Sequence, residues 1–315
     1  MKIVVLDAAT LGADIDLSPL RELGEVTVYD NTAPEEVSSR VADQNVIVSN
    51  KVKLNESNLK NAGEMKLICL AATGYDCVDT AYCRSRGIGV CNVPGYSTHS
   101  VAQLTVAMAL SLGTHLTEYR TYVHDGSYSR SGLANRLEPM WYELCGKTWG
   151  IVGGGNIGQE VAKIASAMGC RVLMCRRKKD PDFETVDIDT LCAQSDIISV
   201  HVALTEQTRG MIGKDQIGRM KPNAIFINVA RGAVTEEAAL AEAVLENRLG
   251  ALGVDVYTQE PFREGHPFCR LLELPNVCLT PHMAWGSREA RRRCVDTVAG
   301  NIRAFQNGEK QNRVE

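Results

Sequence analysis

Short apolar runs recur along this chain with room for one helix between each pair, and that alternation constrains its fold more than any other feature. The first series occupies residues 3–6, 26–29, 46–49, 67–71 and 88–93. The second occupies 149–152, 171–175, 197–202, 224–229, 251–256 and 277–280. Polar or amphipathic stretches such as 33–41, 188–193 and 236–246 lie between them. Strands that are apolar along their whole length are buried on both faces, which means parallel sheets covered by helices. Two series predict two doubly wound α/β units, and 315 residues suffice for two cores. The boundary falls near Pro94-Gly95-Tyr96-Ser97, where a helix capped by Ser97 or Thr98 is predicted to run to about Glu118. A last helix, from Gly286 to about Asn307, follows the final strand, and nothing in its residues decides which unit it joins.

The second series opens on Thr148-Trp-Gly-Ile-Val-Gly-Gly-Gly-Asn-Ile-Gly158, an apolar strand running into a glycine-rich turn and then a helix, predicted over 159–168. Gly153, Gly155 and Gly158 fit the G-x-G-x-x-G spacing, with one glycine each for the tight turn, the close approach of a pyrophosphate and helix–strand packing. Amides at the helix N-terminus suit a phosphate. With strand, turn and helix in order, a dinucleotide site is expected here.

Composition narrows the class. A net charge of −4 and a pI near 5.9 argue against a broad nucleic-acid surface. The first residues read as a strand rather than a signal peptide. The apolar stretch 101–112 carries Gln103, Thr105 and Ser111, so it reads as a buried helix and not a membrane span. Eleven cysteines, with no C-x-x-C pair or zinc spacing, predict neither a disulfide scaffold nor a metal site and point to a reducing cytoplasm.

Three polar residues follow strands of the second series: Arg231, just before Gly232; Glu260, next to Pro261; and His282, after Pro281. In open α/β sheets ligands sit outside the carboxyl ends of the strands, so all three share an edge with the glycine turn. Moving a hydride to or from a carbonyl needs a proton donor or acceptor at its oxygen, a role His fills near neutral pH. A neighbouring carboxylate orients the ring, and an Arg grips a substrate carboxylate bidentately.

The chain resembles the D-isomer-specific 2-hydroxyacid dehydrogenases from end to end. The resemblance rests on Ala72-Thr-Gly-Tyr-Asp-Cys-Val-Asp79, Asn92-Val-Pro-Gly-Tyr-Ser-Thr-His-Ser-Val-Ala-Gln103 and the glycine turn. It continues through His201-Val-Ala-Leu-Thr-Glu-Gln-Thr208, Asn228-Val-Ala-Arg-Gly232, Asp255-Val-Tyr-Thr-Gln-Glu-Pro261 and Thr280-Pro-His-Met-Ala-Trp285. The run from His282 to Ala290 and Asn50-Lys-Val are most similar to the glycerate dehydrogenase/hydroxypyruvate (glyoxylate) reductase branch. The resemblance implies a flavodoxin-like substrate domain, residues 1–96 and 286–315, completed by the last helix. It implies a Rossmann cofactor domain, 97–285, with the active site in the cleft between the two. His282 would be the acid/base, Glu260 its partner and Arg231 the substrate-holding cation, with the amides of Thr73 and Gly74 receiving the substrate carboxylate. Cofactor contacts are expected at Gly153, Gly155, Asn156, Ile157, Gly158, Arg176, Arg177, His201, Thr208, Val229, Ala230 and Asp255, the last near the nicotinamide carboxamide. A homodimer through the arm around 98–146 is also implied.

Eighteen residues beyond Gly158, NAD-using members place an acid on the adenosine ribose, whereas this chain has Arg176, in Cys175-Arg-Arg-Lys-Lys179. A guanidinium there attracts a 2′-phosphate, so NADPH is expected to be preferred over NADH. Ala203 replaces a proline usual in the family, and Gln103 stands where many members have Glu. Lys51, Val52, Tyr75, Trp141 and Trp285 are candidates for substrate choice. The expected activity is reduction of a small 2-oxo acid, hydroxypyruvate or glyoxylate, to the D-2-hydroxy acid. Phosphite-type dehydrogenases, which keep the Glu, and NAD(H)-sensing regulators of the same fold stand as alternatives.

Overall fold

The computed structural model describes all 315 residues, which form two compact units, Met1–Ser97 with Trp285–Glu315 and Thr98–Ala284. The first unit holds five parallel strands: β1 (Lys2–Val5), β2 (Glu25–Val28), β3 (Val46–Ser49), β4 (Leu67–Leu70) and β5 (Gly89–Cys91). Their order, β2-β1-β3-β4-β5, is that of flavodoxin-like sheets. Strands β3 and β4 are buried at every residue, as their unbroken apolar sequences require, and the edge strand β2 is largely exposed.

The last helix, Arg288–Gln306, belongs to this first unit. Ser287 caps it by accepting the amide of Ala290, and Ala290, Cys294, Val295, Val298 and Ile302 pack into the core beside Val46, Leu67 and Cys69. Beyond it the chain returns along β5, where Val314 N donates to Val90 O at 2.9 Å and Asn92 N to Asn312 O at 3.1 Å.

The second unit holds seven parallel strands: β6 (Thr148–Val152), β7 (Arg171–Cys175), β8 (Glu184–Thr185), β9 (Ile197–Val200), β10 (Ile225–Asn228), β11 (Ala251–Val254) and β12 (Val277–Leu279). The order β12-β11-β10-β9-β6-β7-β8 reverses direction between β6 and β9, the Rossmann switch point outside which such sheets bind ligands. The two-residue strand β8 is too short to show a hydrophobic pattern and was not anticipated. The helix expected through Glu118 is instead two, Thr98–Gly113 and Leu116–His124. The break lies at His115, whose φ of 52° is left-handed and cannot continue a helix. Its ring Nδ1 lies 2.6 Å from Glu118 in the first turn of the new helix. The first of the pair packs on β10 and β11, where Gly253 leaves room for Met108 and Leu112.

Candidate active site

All strands of the second unit are parallel, so their carboxyl ends share one edge, and the expected site residues leave that edge from neighbouring strands. The glycine turn follows β6. Gly153 has φ +105°, and a Cβ there would lie 2.9 Å from the backbone of His201 and Val202, which leave β9 alongside. A Cβ on Gly158 would lie 1.9 Å from Gly153 O, so this glycine lets the helix Asn156–Ala167 seat against the turn. The helix starts three residues earlier than its apolar pattern suggested. Gly155 differs from both: its φ is −80° and a Cβ there would meet nothing within 4 Å. Neither conformation nor packing in the protein requires a glycine at 155. Open space beside the first amides of a helix fits a pyrophosphate, so these residues suit a dinucleotide.

Arg176, just past β7, lies across this turn, since a Cβ on Gly154 would be 2.7 Å from its Cδ. Its Nη1 pairs with Asp180, whose side chain is wholly covered. Arg177, Lys178 and Lys179 are exposed. His201, after β9, is neutral: burial pushes its imidazole down to about 3. Its Nε2 is 2.9 Å from Ser199 Oγ, which accepts the buried Trp149 indole N–H at 3.0 Å. Thr208 folds the following loop by donating to Ala203 O at 2.6 Å, the position where a proline was expected.

On the other side of the switch point, Arg231, Glu260 and His282 leave the adjacent strands β10, β11 and β12. Asn228, at the end of β10, shapes the first of these loops: its Oδ1 accepts Ala230 N at 3.0 Å and its Nδ2 donates to Arg231 O at 3.0 Å. Val229 and Ala230 are buried there. Gly232 is required because a Cβ would lie 2.1 Å from Tyr257 C, where the loop bearing Glu260 crosses it. Glu260 accepts Tyr257 N on Oε1 at 3.0 Å and meets His282 Nδ1 through Oε2 at 2.7 Å. An ionised carboxylate only accepts, so Nδ1 points a proton at Glu260 and Nε2 is the ring's other nitrogen.

Asp255 braces His282 from below. Its carboxylate is fully buried and accepts Thr280 Oγ1 at 2.6 Å, Met283 N at 2.8 Å and Ala284 N at 2.9 Å. His282, enclosed by these anchors, holds a left-handed φ of 52°, an unfavourable conformation for a non-glycine residue. Burial pushes the Asp255 carboxyl above its usual range, against the opposing pull of Thr280, the two amides and the nearby His282. Tyr257 ties the same loops together by donating its hydroxyl to Thr280 O at 2.8 Å. Sequence reasoning missed Asn228, Tyr257 and Thr280 as supports. They lie inside the matched motifs, but the direction of their hydrogen bonds is a property of the folded loops.

In the first unit, Thr73 and Gly74 follow β4. Thr73 Oγ1 donates to Val93 O at 2.8 Å and Thr73 O accepts Asn92 Nδ2 at 2.7 Å, which fixes the turn while its two amides are spent on no protein acceptor. Nearby, past β3, the buried carboxylate of Asp7 gathers the amides of Asn50 and Lys51 at 2.9 and 2.7 Å. Trp285 meets Tyr96 edge-on at 6.1 Å and is part of this unit's packing. Trp141 and Tyr75 are exposed and Val52 is half-buried.

With this geometry in place, comparison with known proteins gives one answer. Residues 106–284 match the family model described as D-isomer specific 2-hydroxyacid dehydrogenase, NAD binding domain. The chain belongs to the D-isomer-specific 2-hydroxyacid dehydrogenases. It is 37% identical to a glycerate dehydrogenase of Methylorubrum extorquens over all of this chain and 99% of that one. It is 35% identical to a hydroxypyruvate reductase of Blautia hydrogenotrophica with the same coverage. Among solved structures, an acyclic imino acid reductase in complex with NADPH and D-Arg superposes with a TM-score of 0.88 at 27% identity, covering 100% of both chains. A D-lactate dehydrogenase of Aquifex aeolicus, complexed with NAD and lactic acid, gives 0.87 at 27% identity, covering 98% of this chain and 96% of that one. The second unit is thus the Rossmann, nicotinamide-cofactor-binding domain of a 2-hydroxyacid dehydrogenase.

Proposed function

We propose that this family member is an NADPH-preferring reductase of small 2-oxo acids, with hydroxypyruvate and glyoxylate the favoured substrates. The observation that carries the reading is the 2.7 Å His282–Glu260 pair, standing beside Arg231 on three neighbouring strand ends. Arg231 and the amides of Thr73 and Gly74 bind the substrate carboxylate. His282, protonated on both nitrogens, delivers the Nε2 proton to the carbonyl oxygen and is left as the neutral Nδ1–H ring, while Glu260, accepting Nδ1–H, keeps the imidazolium charged and oriented. Arg231 also stabilises the charge that develops on that oxygen. A bound nicotinamide supplies the hydride to C2 of the acid. Gly155 and the helix amides of Asn156, Ile157 and Gly158 receive the pyrophosphate, while His201, Thr208, Val229, Ala230 and Asp255 line the remaining cofactor surface. Arg176 and Arg177 favour the 2′-phosphate.

No observation favours the phosphite or regulator readings, and the named relatives are reductases and dehydrogenases. Exposed apolar residues on the arm, Leu133, Leu137, Met140, Trp141 and Tyr142, support a homodimer. Eleven free thiols support a cytoplasmic location, and no helix is long and apolar enough to cross a membrane. The test is a panel of 2-oxo acids assayed with NADPH and NADH in parallel, together with His282→Ala. The variant is expected to lose turnover while titrating NADPH normally. Surviving turnover would remove His282 as the acid, and equal efficiency with NADH would remove the cofactor preference.

A further inference from the structure

Arg176 is expected to meet the cofactor, yet what holds it in place is a residue that no ligand can touch. Asp180, four positions later, has no exposed side-chain surface, while Arg176 keeps about a quarter of its own. Asp180 Oδ2 accepts both Arg176 Nη1 and Gln159 Nε2, the latter from the first turns of the helix that follows the glycine turn. Oδ1 accepts the amides of Asp182 at 3.1 Å and Phe183 at 3.2 Å, and the Asp180 amide donates to Thr185 Oγ1 in β8 at 2.8 Å. Burial alone raises the Asp180 carboxyl, but the amides of Asp182 and Phe183, with Arg176 and Gln159, outweigh it and hold the group ionised below its usual range. Gly154 completes the arrangement, since a Cβ there would press on Arg176 Cδ at 2.7 Å and Nε at 3.0 Å.

We propose that Asp180 is the positioning residue that turns Arg176 into a receptor for the 2′-phosphate, with Gly154 and Gln159 as its supports. The proposal rests on the NADPH preference argued above. A free arginine loses much rotamer freedom on gripping an anion, and a guanidinium already fixed by a rigid carboxylate does not. The stretch carries four cations, Arg176, Arg177, Lys178 and Lys179, against the single Asp180, so attraction for a dianion survives the pairing. Charge and positioning predict opposite signs. Removing a carboxylate beside the site strengthens phosphate binding if charge alone matters and weakens it if geometry does.

The test is calorimetric titration of the full chain, without substrate, by adenosine 2′,5′-bisphosphate and by 5′-AMP. Wild type is expected to favour the bisphosphate and Arg176→Ala to lose that preference. Asp180→Asn is expected to weaken the bisphosphate roughly tenfold, the scale of one immobilised rotamer-rich side chain, with 5′-AMP unchanged. Gly154→Ala displaces the guanidinium while leaving Asp180 in place, and gives the same selective loss should Asp180→Asn fold poorly. If wild type shows no preference, the NADPH reading falls and takes this proposal with it. If wild type prefers the bisphosphate, Arg176→Ala abolishes that, and both other variants bind it as well or better, the positioning role alone is overturned.

Discussion

Two glycines three residues apart in one turn should respond to the same substitution in opposite ways. Gly158→Ala puts a methyl 1.9 Å from Gly153 O, a backbone atom with no flexible end to yield, so the helix or the turn must shift by about an ångström. Overpacking of this kind costs about 3 kcal/mol, or roughly 6–12 °C in the melting temperature of a domain this size. Gly155→Ala meets nothing within 4 Å and keeps an ordinary φ of −80°. Alanine is the poorer N-cap by about 0.5–1 kcal/mol, offset by the about 0.4–1 kcal/mol gained when the unfolded chain loses freedom. The cofactor-free protein should therefore melt within about 4 °C of wild type. Its methyl nonetheless stands where a pyrophosphate must approach, and losing one charge-assisted hydrogen bond, about 1.5–3 kcal/mol, weakens NADPH roughly ten- to hundredfold. Scanning fluorimetry without cofactor and a fluorescence titration with NADPH read the two effects separately. An unchanged NADPH affinity in Gly155→Ala, or a melting point lowered as far as in Gly158→Ala, would refute the assignment of that space to the ligand.

Asp255→Asn turns an amide donor toward at least one of Thr280 Oγ1, Met283 N and Ala284 N, an unsatisfied buried group worth about 2 kcal/mol. The cofactor-free melting temperature should fall by roughly 4–8 °C; measured without cofactor, the change reports bracing of His282, and an unchanged value would show that the anchor is idle. Glu260→Gln cannot accept both Tyr257 N–H and the His282 Nδ1 proton, so steady-state turnover should drop about 10²-fold or more with less effect on KM. Replacing exposed Leu137 and Met140 with Asp should shift sedimentation from dimer to monomer, and a wild-type monomer would defeat the arm as an interface. Asp180, held below its usual carboxylate range, contributes stability that is present above the unfolded value and lost as pH falls through the folded one. The gap in urea midpoint between wild type and Asp180→Asn should accordingly narrow on acidification below about pH 4; a constant gap would contradict the ionised network.

Much of the architecture is local information. Strands such as β3, β4 and β9 are apolar at nearly every position, because both faces of a parallel sheet are covered, and that pattern survives in one dimension. The glycine turn is equally legible, since Gly153 needs its left-handed φ whatever surrounds it. Placing Arg231, Glu260 and His282 after consecutive parallel strands was enough to put them on one edge. The residues alone did not show that the chain breaks at His115, where a helical pattern runs on through a left-handed residue. Nor did they show which unit takes the last helix, because an amphipathic face names no partner and only the core beside β3 and β4 selects it. Arg176 could be read as a cation at the adenosine end, but the glycine beneath it, the Gln159 that shares its carboxylate and the Asp255 carboxylate under His282 come from segments far apart in sequence. Hydrogen-bond direction and steric fit exist only once those segments are brought together, and they belong to the tertiary structure.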